Sequence, residues 1–119
     1  MRRDFELVRE ILLAIEASDK AQGAIQLEIP DHDSEVVAYH VKLLHEAGLI
    51  TAINASTRAG LDWIPKSLTW EGHEFLDAAK NDTVWNKAMT TLKDKAVSVP
   101  FEIVKAVVIK TCKDFFGVG

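Results

Sequence analysis

A chain of 119 residues, 48% of them apolar, holds enough side-chain volume for one ordinary hydrophobic core, and its single cysteine, Cys112, excludes an internal disulfide. The charged fraction, 27%, is spread along the sequence with no Pro/Gly/Ser-rich tract, so disorder is expected at the ends alone. The net charge of −4 excludes a protein that coats nucleic acid by charge alone; residues 1–70 carry 7 Lys and Arg against 11 Asp and Glu, and residues 71–119 carry 7 of each.

Arg2-Arg3-Asp4 leads straight into an amphipathic segment with no apolar leader, so a cytoplasmic protein is expected. Asp4 can cap a helix over roughly residues 4–17, in which Val8, Ile11, Leu12 and Ile15 recur at i, i+3, i+4, i+7. Ser18, Asp19, Lys20 and Gly23 break it. Ile25-Gln26-Leu27-Glu28-Ile29 then alternates apolar with polar until Pro30, the pattern of a short half-buried strand.

Asp31-His32-Asp33-Ser34 offers N-cap residues for a second helix, roughly 33–47, with Val37, His40, Val41 and Leu44 inward and Gly48 as its left-handed stop. Leu49–Ile53 and Ile64–Leu68 read as strands joined by a polar turn, Asn54 to Gly60, with Arg58 at its tip: a wing.

Thr69 is expected to cap a third helix with His73, Leu76 and Ala79 inward, ending near Asn81. Asp82 is expected to cap a fourth, with the stripe Trp85, Met89, Leu92 and Ala96. Ser98 and Pro100 are expected to open a fifth, in which Phe101, Val104, Val108, Cys112 and Phe115 share a face widened by Ile103, Val107 and Ile109. Ile103 to Cys112 is too short and too charged to span a bilayer, so a face this apolar must be covered by the domain or by a second copy of the chain. A homodimer through residues 98–116 is one expected arrangement.

The element order is that of an α+β winged helix-turn-helix domain, residues 1–80, followed by a C-terminal helical extension, residues 81–119. Ala38 to Ile50, which closes on Ala47-Gly48-Leu49-Ile50, resembles the recognition-helix end of metalloregulator-like and multidrug-resistance-type repressors. Leu68-Thr69-Trp70-Glu71-Gly72-His73-Glu74-Phe75-Leu76 resembles the step that carries such wings into the next helix. Arg2-Arg3-Asp4, Tyr39 to Leu44, Gly60 to Lys66, Leu68 to Ala79 and Val84 to Lys87 together resemble an uncharacterised family of small bacterial and prophage proteins, the domain-of-unknown-function family twenty-five-thirteen. That resemblance spans nearly the whole chain and implies no activity. The chain departs from a full helix-turn-helix at Pro30, where an Asp-rich turn leaves no room for a separate positioning helix.

For a winged helix the expected ligand is DNA, and the expected role a small transcriptional regulator. The outward residues of the second helix are Glu35, Ala38, Tyr39, Lys42 and His45; of these Tyr39, Lys42 and His45 are candidates for base or phosphate contact. Arg58 on the wing, Lys66 after it, and Arg2 and Arg3 on a terminal arm complete the candidate DNA-binding set. The alternative is a protein-interaction module on the same scaffold, because the reading surface is acidic. No metal site is expected, since His40 and His45 at i, i+5 leave different helix faces and no cysteine joins them. His40 reads as a core histidine hydrogen-bonded to backbone. No nucleotide loop or catalytic triad signature is present, so neither an enzyme nor a cofactor is expected.

Overall fold

The computed structural model describes residues 2–18, 23–93, 95 and 98–117. Among these the elements run α1 (Phe5–Ala17), α2 (Ser34–Glu46), β1 (Ile50–Asn54), β2 (Trp63–Leu68), α3 (Trp70–Ala79), α4 (Asp82–Leu92) and α5 (Phe101–Phe116). This is an α+β arrangement of five helices and one two-stranded antiparallel sheet, compatible with a winged helix. Asp19, Lys20 and Ala96 lie outside the described residues.

Asp4 starts α1 as its composition predicts: its carboxylate accepts from the Glu6 and Leu7 N–H groups at 3.0 and 3.2 Å. The stripe Val8, Ile11, Leu12 and Ile15 is buried, with Phe5 and Leu7 beside it. The expected strand over Ile25–Ile29 does not form. The segment is extended and its burial alternates, but its one backbone bond to the sheet runs from Ile25 N–H to the Pro65 carbonyl at 2.9 Å. An antiparallel pair exchanges two bonds, and Pro65 has no N–H to return. Residues 23–33 contain no helix, so Pro30, Asp31 and His32 make a turn where a positioning helix would sit; Asp31 adopts φ +67°, a conformation aspartate tolerates.

Asp33 occupies the N-cap of α2 without a side-chain cap bond, and Gly48, at φ +80°, turns the chain out of the helix. His40, Val41 and Leu44 are buried as expected. Ala38, expected outward, is only 5% exposed. The strands pair from Ile50 opposite Leu68 to Asn54 opposite Trp63, with a bulge that leaves Lys66 as the extra residue next to Pro65. A proline inside a strand belongs at such a bulge.

Thr69 caps α3 by accepting from Gly72 N–H at 3.1 Å. Gly72, Phe75, Leu76, Ala78 and Ala79 face inward, whereas His73, expected inward, is exposed. The α4 cap is Asn81, not Asp82; its side-chain oxygen accepts from Val84 N–H at 3.1 Å. At α5 the N-cap is Pro100, and the Ser98 hydroxyl donates to the Lys95 carbonyl instead of capping.

The C-terminal helices pack on the rest of the chain and share its core. The Phe101 ring lies 6.3 Å from Phe5 and 5.4 Å from Phe75, and Val104 and Val108 are fully buried in the same cluster as α1. Arg9 of α1 caps the end of α3 by donating to the Ala79 and Lys80 carbonyls at 2.8 and 2.9 Å, and pairs with Asp82. Glu16 beside Lys80, through a side-chain hydrogen bond and its charge, raises the Lys80 ammonium above its ordinary pKa. Of the wide apolar face of α5, Ile103, Phe115 and Phe116 stay exposed and Cys112 is half-buried. No described helix is long and apolar enough to cross a membrane.

Candidate nucleic-acid interface

The outer face of α2 and the β1–β2 hairpin are joined by one contact from each side. From the start of the helix, the Glu35 carboxylate accepts from Leu61 N–H at 3.3 Å. From its end, the His45 ring lies 5.5 Å from that of Trp63, the first residue of β2. Glu35 therefore braces the hairpin.

Hydrogen bonds run up to the tip of the hairpin. Thr57 and Gly60 exchange N–H to carbonyl bonds, both at 3.1 Å, around the two central residues Arg58 and Ala59. The Thr57 hydroxyl accepts from Ala59 N–H at 3.1 Å, and the Ser56 hydroxyl accepts from Asp62 N–H at 2.9 Å. Arg58 is exposed on this turn and has no ion pair or hydrogen bond among the described residues. Lys66, the bulge residue, is half-buried and likewise unpaired among them.

The other candidates are more committed. The Lys42 amine lies 3.8 Å from Glu46 and 5.9 Å from the Tyr39 ring, which is itself half-buried edge-on to His40. Arg2 is exposed. Arg3, expected on a free arm, donates to the Val99 carbonyl at 3.1 Å and lies over the Phe5 ring, so its guanidinium ties α1 to the approach to α5. The structure thus brings Tyr39, Lys42, His45, Arg58 and Lys66 to the α2–hairpin region and places Arg3 elsewhere.

His40 explains how α2 is held against the start of α1. It is fully buried; its Nε2 accepts from Asp4 N–H at 2.9 Å, which leaves the proton on Nδ1 to donate to the Val36 carbonyl at 2.8 Å. His40→Leu strips the acceptor from the N-cap residue of α1 and is expected to cost about 2 kcal/mol in urea denaturation. A loss under about 0.5 kcal/mol would mean that water reaches the freed Asp4 N–H. Among the described residues, no three His, Cys, Asp or Glu side chains converge as metal ligands.

Sequence reasoning missed a cleft beside this surface, of about 430 Å³, between the extended segment 24–29, the start of α2 and the outer edge of β2. The signal that could have found it is Pro65, which marks where pairing along that edge must fail.

A relative from Haemophilus influenzae, described as an uncharacterized protein, is 44% identical over 111 residues, covering 90% of this chain and 92% of its own. No solved structure matches. A family model described as hypothetical protein (DUF2513) matches residues 2–98, which run from the start of α1 to beyond α4. With that match over most of its length, the chain belongs to the hypothetical-protein family DUF2513.

Proposed function

We propose that the protein is a winged-helix DNA-binding protein, acting as a small transcriptional regulator, that lays α2 toward a groove and the hairpin along the flanking backbone. The observation that carries this reading is Arg58: a guanidinium with no hydrogen bond or ion pair among the described residues, on a hydrogen-bonded two-residue turn that Glu35 braces against α2. A winged helix places such a residue beside the phosphates or in the minor groove. Tyr39 and His45 supply hydrogen-bonding groups to the same face, and Arg2, Lys42 and Lys66 the remaining charge.

The charge count sets the expected strength. Four cations, Arg2, Lys42, Arg58 and Lys66, each neutralising one phosphate, give a slope of log K against log salt of about −3 to −4. Binding is therefore weak and salt-sensitive. The test is retardation of genomic fragments at about 50 and 200 mM salt, where affinity should fall on the order of 100-fold. Arg58→Ala should weaken binding to all sequences alike and flatten the slope by about 1. No retardation at the lower salt, or an unchanged slope in the variant, would sink the reading.

A protein-interaction role is the second reading, favoured by the pairing of Lys42 with Glu46 and by the acids Glu28, Asp31, Asp33 and Asp62 around the same region. For a homodimer through residues 98–116, the large apolar side chains on offer are Ile103, Phe115 and Phe116, because Val104 and Val108 already serve the core.

A further inference from the structure

The outer edge of β2 is an interrupted pairing. Ala55 N–H donates to the Asp62 carbonyl, so alternation along the antiparallel pair directs Ile64 toward β1 and turns the backbone groups of Trp63 and Pro65 outward. The Pro65 carbonyl is met by Ile25 N–H at 2.9 Å. The next antiparallel step would set Leu27 opposite Trp63, and no backbone bond joins them. The cleft of about 430 Å³ lies there instead, within the size range of ligand pockets.

Its lining matches one kind of occupant. Leu27, Ile29, Val37 and Trp63 give an apolar floor; Glu28 and Asp62 give two carboxylates; among the described residues His32 is the only basic lining side chain, with no lysine or arginine. Asp31 and Asp33, both exposed, flank His32 in the chain. A small apolar ligand would leave the outward N–H and C=O of Trp63 unpaired, and an anion would face the carboxylates. An extended backbone satisfies the first, and alternating cationic side chains satisfy the second.

We propose that this cleft binds an extended basic peptide segment of a partner protein, added as a strand along the outer edge of β2, with alternate Lys or Arg side chains toward Glu28 and Asp62. The proposal does not depend on DNA binding. It uses backbone groups of β2 and carboxylates, whereas the DNA reading uses Arg58 and the face of α2.

The test is a titration of the isotopically labelled full chain with capped octapeptides that alternate lysine or arginine with valine, leucine or tyrosine, read as amide shifts. At least one should move the Trp63 and Leu27 amides. The same peptide N-methylated at alternate amides should bind at least tenfold more weakly, and a glutamate–valine octapeptide should leave those amides in place. The Glu28 and Asp62 side chains make no hydrogen bond or ion pair among the described residues, so the double variant E28Q/D62N should keep the fold and lose at least tenfold in affinity. Three results would each overturn the proposal: no shift at millimolar peptide, equal binding of the N-methylated peptide, or equal binding by the double variant.

Discussion

Gly72→Ala is expected to destabilise the protein by about 3 kcal/mol or more, at the upper end of what single substitutions do. In an exposed helix interior the same change would stabilise by roughly 1 kcal/mol, because alanine is the better helix former. The sign reverses here because a Cβ on Gly72 would stand 1.9 Å from the Leu49 carbonyl oxygen and 2.9 Å from its carbon. That carbonyl cannot swing aside cheaply: it accepts from Thr69 N–H at 3.0 Å, while the Thr69 hydroxyl donates to the Gly48 carbonyl at 2.6 Å and accepts from Gly72 N–H. The clash therefore falls on the joint where α2 enters β1 and β2 enters α3. Gly48→Ala separates space from backbone conformation. Nothing lies within 4 Å of a Cβ there, so only the cost of φ +80°, about 1–2 kcal/mol, should appear. Urea denaturation of both variants checks the pair, and a Gly72→Ala protein within about 0.5 kcal/mol of the parent would refute the argument.

The turns at that joint and the start of α1 were legible in the sequence because their devices are local. Thr69 three residues before Gly72, Gly48 after a periodic stripe and Asp4 before another each act within one helical turn. The alternation of Ile25 to Ile29 correctly encodes burial, with Ile25 buried and Gln26 and Glu28 exposed, but a strand also needs a donor on its partner, and Pro65 withholds it. His73 lies one turn from Leu76, yet α3 turns Gly72, Phe75 and Ala79 inward, and a glycine carries no hydrophobic signal to mark that side. Ala38 is as small and as uninformative. In the candidate site, Arg58 was readable because a turn tip exposes whatever it carries. Arg3 was not, since its acceptor on Val99 lies 96 positions away in the chain.

Trp85→Ala is expected to cost about 3–5 kcal/mol, the range for removing a buried aromatic side chain, out of a total stability of about 5–15 kcal/mol for a domain. The indole is 1% exposed, its Nε1–H donates to the Glu6 carboxylate at 2.8 Å, and Arg9 lies 5.6 Å from the ring centre. Trp85→Phe keeps most of the packing and loses that hydrogen bond, so it should cost about 1 kcal/mol beyond the smaller ring. The sequence reading sets a C-terminal extension over residues 81–119 that packs on the domain or mediates dimerisation; in the structure Trp85 reaches α1, and Phe101 reaches both Phe5 and Phe75. Removing the indole should therefore lower the stability of the whole chain. In Trp85→Ala the remaining tryptophans are Trp63 in the hairpin and the exposed Trp70, so selectively excited tryptophan fluorescence follows the hairpin while far-UV circular dichroism follows the helices. The two transitions should move together to lower urea. If helicity fell first while the Trp63 signal kept its midpoint, α4 and α5 would be a separable appendage, and the hairpin surface proposed to meet DNA would not depend on them.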